Sequence, residues 1–262
     1  METMLSKHLR TLSFSLTVAL AMGIHLPALG YVSAQRFSPQ VERNSAVWVA
    51  RLRFRLPNIK APRNRTAGAS RGGCSSEVQR PVALLPSTQI GLTVAANPTF
   101  FFHIPQPTTK EVEFTLQDSD DQVVYETAVD LSDVPGIVSV SLPRESLATP
   151  SLEVGKTYKW NFAIVCDPTD RGQDIVLEGW IQRNELTPTL ANELEKATPK
   201  DRPSIYADAG FWYDTVASLA QLREANPNDP QLAEDWTTLL QSIGLDAIAQ
   251  APLVGSVTTI RN

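Results

Sequence analysis

The stretch 152-LEVGKTYKWNFAI-164 decides the fold of this 262-residue chain. After Gly155 the side chains alternate, and one face carries only apolar or aromatic groups: Tyr158, Trp160, Phe162 and Ile164. A period of two is typical of a half-buried β-strand, predicted here over 156–166. We expect the aromatic face to pack in a protein core.

Seven more segments of this kind surround that strand, each bounded by Pro, Gly or Asp. They are Val82–Leu85, Ile90–Val94, Thr99–Ile104, Glu111–Leu116, Gln122–Leu131, Gly136–Leu142 and Ile175–Arg183. Seven or eight short strands at this spacing predict an immunoglobulin-like β-sandwich domain over residues 81–186.

Beyond residue 186 the apolar spacing becomes helical. Helices are predicted over 188–197, 202–225 and 231–242, with a last turn over 245–250. Asn226–Pro230 breaks the pattern, and Asp229 is placed to cap the following helix. The pattern predicts a C-terminal helical hairpin within residues 187–252, docked on the sandwich or on a partner and followed by a tail, 253–262. The expected fold class is therefore α+β.

Residues 1–34 have the pattern of a secretory signal peptide. Lys7 and Arg10 precede an apolar run from Leu12 to Leu26, and Val32-Ser33-Ala34 offers small residues for cleavage before Gln35. The run is shorter than the about 20 residues of a spanning helix. We expect an extracytoplasmic protein, periplasmic or secreted, that does not span a membrane.

The segment 35–80 is a basic, arginine-rich leader and loop. Between Arg36 and Arg80 it has ten basic residues and two acidic ones, whereas the whole chain has a net charge of −5. Over 47–56 the arginines alternate with apolar residues, which predicts a strand with one arginine face. The candidate anion-contacting residues are Arg51, Arg53, Arg55, Arg63, Arg65 and Arg71.

Two interpretations of this leader stay open. The arginines could meet an anionic partner, or they could rest on the acidic body of the same protein, which is the interpretation we favour. Likewise, alternating Arg and apolar residues suit a lipid headgroup layer or an edge strand protected by charge, and we favour the edge strand.

The two cysteines, Cys74 and Cys166, both follow the predicted cleavage site. An even count in an oxidising compartment favours one disulfide bond. Two free thiols or part of a metal site are the alternatives, although zinc would need further ligands that no nearby histidine pair supplies.

Candidate catalytic groups are few. His103 is the one histidine left after processing, and the chain has no P-loop, G-x-G-x-x-G, H-E-x-x-H or C-x-x-C motif. Two acidic groups could hold calcium, Asp118 with Asp120 and Asp121, and Asp167 with Asp170 and Asp174, but neither fits the EF-hand pattern. No cofactor is predicted.

Several motifs keep their order along residues 60–250 and resemble a known family. They include APRN at 61–64, RGGC at 71–74, NPTFFFHIP at 97–105, CDP at 166–168, EGWIQR at 178–183 and GFWYD at 210–214. They resemble a cyanobacterial group of exported proteins catalogued only as a domain of unknown function. The resemblance implies export in a cyanobacterium-like cell, and it carries no activity, cofactor or catalytic residue.

Together these features predict a non-enzymatic extracytoplasmic binding or scaffolding module. The partner would be an envelope protein, a glycan or an anionic lipid surface, and nucleic acid fits poorly with export. The alternative is a carboxylate-dependent hydrolase of envelope glycan, using for example Glu178 with an Asp. The sequence leaves the oligomeric state open.

Overall fold

The described part of the chain folds into two β-sheets and four α-helices, so the fold is mixed α+β. The computed structural model describes residues 52–62, 74, 80–105, 111–131, 135–143, 151–256 and 258–260. The strands are β1 Val82–Ala83, β2 Ile90–Thr93, β3 Thr99–Ile104, β4 Glu111–Gln117, β5 Val123–Asp130, β6 Gly136–Ser141, β7 Thr157–Ile164, β8 Ile175–Arg183, β9 Leu253–Ser256 and β10 Thr258–Ile260. All eight predicted strands are present, with ends shifted by up to two residues.

The strands are divided between a four-stranded and a six-stranded sheet. The first has the order β1-β3-β6-β9 and the second the order β10-β5-β4-β7-β8-β2. Most neighbours are antiparallel, but β2 pairs with β8 and β6 pairs with β9 in parallel. The immunoglobulin-like assignment stays a prediction.

Aromatic rings join the two sheets face to face. The ring of Phe102 on β3 stacks on that of Phe162 on β7 with centroids 3.9 Å apart, and Phe100 lies 4.9 Å from Phe114. The predicted apolar face of β7 is confirmed as core, because its residues at 158, 160, 162 and 164 are all at most 4 % exposed. Alternation along β7 therefore places one side of the strand in the interior.

The helices are α1 Pro188–Lys196, α2 Arg202–Ala209, α3 Trp212–Ala225 and α4 Pro230–Gln241. The predicted cap of α4 is confirmed, since the Asp229 carboxylate accepts a hydrogen bond from the Gln231 N–H. The single helix predicted over 202–225 is wrong. Gly210 adopts a left-handed conformation with φ of 81°, which ends α2 and turns the chain into α3.

Helices α2, α3 and α4 share one hydrophobic core with the sheets. Trp212 at the start of α3 is fully buried and donates its indole N–H to the Leu84 carbonyl, 2.8 Å away. Trp236 of α4 is also fully buried in this core. The described residues all belong to one compact unit. The predicted hairpin of α3 and α4 as a separate module stays a prediction.

Residues 52–56 correct the prediction of an edge strand. The side chains of residues 52–55 alternate between core and solvent as expected, but Leu56 is 48 % exposed and the backbone hydrogen bonds lead to helices. Arg55 donates its N–H to the Ala207 carbonyl at 3.1 Å, and Phe54 donates its N–H to the Ser242 hydroxyl at 3.3 Å. This stretch is an extended segment laid over helix ends. The predicted signal peptide and residues 35–51 lie outside the described residues.

The tail predicted for 253–262 contains two strands. β9 pairs with β6 of the first sheet, and β10 pairs with β5 of the second. The chain therefore crosses between the sheets near its end. None of the helices in the described ranges has both the length and the apolar character needed to cross a bilayer.

Candidate functional site

Two of the predicted arginines form an exposed pair, which we call the arginine stripe: Arg53 and Arg55. Both side chains are exposed, and neither forms an ion pair with any described residue. Residues two apart on an extended chain lie on the same side, roughly 7 Å from each other. Lys60 is exposed a few residues further on. The other predicted arginines, Arg51, Arg63, Arg65 and Arg71, lie outside the described residues.

The apolar residues between these arginines anchor the stripe to the protein. Leu52 is 6 % exposed, and the Phe54 ring packs edge-on against Trp212 with centroids 4.9 Å apart. Two core contacts and two backbone hydrogen bonds therefore fix the direction in which the arginines point. Because Leu52 and Phe54 are buried in the core, they are not available to insert into a lipid layer.

The cysteine prediction is confirmed. Cys74 and Cys166 form a disulfide bond that links positions 92 residues apart. It ties the chain preceding β1 to the end of β7.

The acidic loop after Cys166 does not bring its three predicted carboxylates together. Asp167 accepts hydrogen bonds from the N–H and hydroxyl of Thr169, and these hydrogen bonds lower its pKa. Asp170 caps a 3₁₀ turn over 171–173 by accepting from Gly172 N–H. Within the described ranges, no group of three His, Cys, Asp or Glu side chains is arranged to hold a metal ion.

Asp174 instead stabilises the disulfide loop. Its buried carboxylate accepts from the Cys166 N–H at 3.1 Å and from Arg171 Nε at 2.6 Å. Arg171 makes two further hydrogen bonds to Glu113 on β4, at 3.1 and 2.6 Å. The other predicted acidic group is a turn in which Asp118 accepts from the N–H groups of Asp120 and Gln122.

The remaining catalytic candidates lie apart. His103 sits in β3 between β1 and β6, and burial lowers the pKa of its imidazole. Glu178 on β8 forms an ion pair with Lys159 on the neighbouring strand β7. Neither residue lines the cavity described next.

A cavity of about 320 Å³ opens between the end of β2, the chain around Asn97 and helices α2 and α3. We call it the α2–α3 pocket. Its polar lining includes Asn97, Arg202, Tyr206, Asp214 and Gln221. This pocket could not be predicted from the sequence, because its walls come from segments about 100 residues apart.

Asp214 lines the pocket from the first turn of α3. Its Oδ2 accepts from the Val94 N–H at 3.1 Å, and the neighbouring Ala95 N–H donates to the Thr93 hydroxyl at 3.0 Å. Burial nevertheless raises the pKa of Asp214 to about 6. The carboxylate thus joins α3 to the end of β2.

Tyr213, the preceding residue, fixes the same helix to the second sheet. Its buried hydroxyl accepts from the Trp160 indole N–H at 2.8 Å and donates to the Trp180 carbonyl at 3.1 Å. Burial raises the pKa of this phenol. The motif GFWYD therefore turns the chain at Gly210 and then docks α3 through three consecutive side chains.

The family model described as Domain of Unknown Function (DUF928) matches residues 66–253, more than two thirds of the chain. This chain belongs to the DUF928 family. The DUF928 match includes both cysteines, the docking motif of α3 and the α2–α3 pocket, whereas the arginine stripe precedes it. No curated protein and no solved structure matches this chain.

Proposed function

We propose that this protein is an exported, non-enzymatic binding module that holds an acidic polysaccharide of a cyanobacterium-like cell envelope through its arginine stripe. The observation that carries the proposal is the way Arg53 and Arg55 are presented. Both guanidinium groups are exposed, two residues apart, while the residues beside them are fixed in the core.

Export is supported by the sequence of residues 1–34 and by the disulfide bond. A bond between Cys74 and Cys166 is typical of proteins that fold in an oxidising compartment. The immunoglobulin-like sandwich remains part of this proposal, as a scaffold of two sheets joined by aromatic packing.

The charge and geometry of the stripe favour a polyanion as its partner. Arginine binds carboxylate and sulfate-like groups through paired N–H donors, and a repeating polymer offers such groups at regular spacing. A lipid surface is less suitable, because Leu52 and Phe54 are occupied in the core and Leu56 alone of the three apolar residues beside these arginines is exposed. Nucleic acid does not fit with export.

The geometry favours this function over the alternative of a carboxylate-dependent hydrolase. That mechanism needs two carboxyl groups facing each other across a cleft, about 5–10 Å apart. Among the described residues that line the α2–α3 pocket, Asp214 is the only acidic one. Glu178 is engaged with Lys159 on the surface of the second sheet.

The experiment measures binding of the chain from Gln35 onward to a polyuronate by biolayer interferometry. Deletion of residues 35–72 is unsuitable, because it would also remove Leu52 and Phe54 from the core. The test variant is Arg53→Gln with Arg55→Gln. We expect it to bind at least about tenfold more weakly, since two charge-assisted contacts are lost.

The control variant is Lys156→Gln with Lys196→Gln, which removes the same charge from two exposed lysines elsewhere. It should bind within about twofold of the unmodified protein, because it keeps both arginines that make the direct contacts. Equal weakening by both pairs would mean that only net charge matters, and it would contradict a role for the stripe.

A further inference from the structure

The α2–α3 pocket contains polar side chains that the rest of the protein leaves unused. Tyr206, Arg202 and Gln221 line it, and none of their side-chain polar groups has a hydrogen-bond partner among the described residues. The Tyr206 ring itself is held in place by packing against a small core that includes Leu92 and Phe211. These groups therefore face the cavity with free donors and acceptors.

The size of the cavity limits the ligand. A volume of about 320 Å³ is at the small end of ligand sites, which span roughly 300–1,000 Å³. Apolar surface from Pro98, Pro199 and Leu222 lines the pocket beside the polar groups. Such a mixture suits a small molecule that has both C–H faces and hydroxyl groups.

The charge of the lining excludes simple ions as the preferred ligand. Arg202 and Asp214 contribute opposite charges to the same cavity, so the pocket has little net charge at neutral pH. An anion would be attracted by Arg202 but repelled by Asp214. A cation would be attracted by Asp214 but repelled by Arg202. A neutral ligand avoids both penalties.

The acceptors of the pocket argue against a zwitterion such as an amino acid. Asp214 is the only acidic residue among the described residues of the lining, and its Oδ2 already accepts from the Val94 N–H at 3.1 Å. A ligand ammonium group would need several acceptors once it lost its water, and this partly engaged carboxylate does not supply them. The free groups of the pocket are the hydroxyl, guanidinium and amide, which are suited to sugar hydroxyls.

We infer that the α2–α3 pocket binds a neutral sugar of one or two rings, with Tyr206, Arg202 and Gln221 as its hydrogen-bonding residues. This site does not depend on the arginine stripe, because a neutral sugar has no charge for Arg53 and Arg55 to recognise. It would give the protein a second, uncharged specificity beside its proposed anionic one.

The test is saturation-transfer NMR on the chain from Gln35 onward with a panel of neutral sugars: glucose, galactose, mannose, N-acetylglucosamine, sucrose and trehalose. We expect at least one of them to bind in the millimolar range. The variants Tyr206→Phe and Gln221→Ala should each weaken that binding by about 2–10-fold, the effect of one lost hydrogen bond. Gln221 is exposed, so its replacement leaves the fold intact.

The matched control is Tyr125→Phe, at a half-buried tyrosine on β5, which three strands separate from β2 in the second sheet. It should leave sugar binding unchanged. Three results would overturn the inference: no binding by any sugar of the panel, binding that Tyr206→Phe and Gln221→Ala leave unaltered, or stronger binding by glycine or inorganic phosphate than by every sugar. Because none of these neutral probes tests the arginine stripe, a negative result leaves the proposed function standing.

Discussion

At the scale of single residues, the hydroxyl group of Tyr213 connects α3 to two strands. It links the Trp160 indole to the Trp180 carbonyl within the buried core. Tyr213→Phe would leave that indole N–H without this acceptor inside the core. We predict a loss of about 1–3 kcal/mol in the free energy of unfolding, measured by urea denaturation.

Tyr125→Phe serves as the control for this loss. Tyr125 is half-buried on β5, and water can reach groups at that depth. We expect removal of the Tyr125 hydroxyl group to change the free energy of unfolding by less than about 0.5 kcal/mol. Similar values for the two variants would show that the Tyr213 hydroxyl contributes no more than a surface group.

Asp214 should make stability depend on pH. Burial raises its pKa in the folded protein to about 6, above its ordinary value of 3.8. The folded state therefore binds the proton more tightly than the unfolded state. The stability associated with this group is fully present below pH 3.8 and is lost as the pH rises through 6.

The comparison that isolates this effect is with Asp214→Asn, which cannot ionise. Between pH 4 and 7, the unfolding free energy of the unmodified protein should fall relative to the variant by about 1–3 kcal/mol. Urea denaturation at half-unit pH steps measures this difference. Parallel curves for the two proteins across that range would contradict the raised pKa.

At the scale of elements, Gly210 separates α2 from α3. It has φ of 81°, and a Cβ there would lie 3.3 Å from the Arg55 carbonyl oxygen and 3.5 Å from Pro57. Gly210→Ala therefore combines backbone strain with crowding of the segment that holds the arginine stripe. We predict a destabilisation of about 2–3 kcal/mol in chemical denaturation, of which strain supplies about 1–2.

Gly244→Ala is a matched control for the strain alone. Gly244 has φ of 82° and no atom within 4 Å of the added Cβ. Its replacement should cost only the strain, about 1–2 kcal/mol. If Gly210→Ala proved no worse than Gly244→Ala, the segment 52–57 would not be packed as described.

The strands could be predicted from sequence because their alternation is local. The bounds of β3 and β8 match the prediction, and β7 differs by one or two residues at each end. The break at Gly210 was missed because apolar residues on both sides continue a helical spacing. β9 and β10 were missed because short segments gain their pairing from strands far away in the chain.

The arginine stripe and the α2–α3 pocket also differ in how far the sequence predicts them. Exposure of Arg53 and Arg55 follows from alternation, so sequence analysis could place both residues on one face. Alternation does not predict which element this segment pairs with. The Arg55 N–H donates a hydrogen bond to a helix end instead of a strand. The α2–α3 pocket forms only when Asp214 and Tyr206 are brought to the end of β2 by docking of the helices.

At the scale of the whole molecule, the disulfide bond between Cys74 and Cys166 closes a long covalent loop. Its 92-residue separation corresponds to about 4–5 kcal/mol in the chain-entropy account. Reduction should therefore lower the melting temperature by about 10 °C or more for a chain of this size. Calorimetry with and without a phosphine reductant measures the change, and the variant Cys74→Ser with Cys166→Ser should not respond to reductant.

The whole molecule also sets a condition on its proposed partner. The chain has a net charge of −5. A polyanion is therefore repelled by the protein's net negative charge and attracted by Arg53 and Arg55 of the arginine stripe. At 0.1 M salt the Debye length is about 10 Å, so distant acidic residues are screened while direct contacts with Arg53 and Arg55 persist. Local contact can then outweigh the net charge.

The measurement that tests this account most directly is the affinity for a polyuronate between 50 and 300 mM salt, beside an uncharged polysaccharide of similar length. We predict binding of the polyuronate that weakens at least about tenfold over this range, and binding of the uncharged polymer that is at least about tenfold weaker at 50 mM salt and does not change with salt. Absence of polyuronate binding at 50 mM salt, or binding that salt does not alter, would contradict the account.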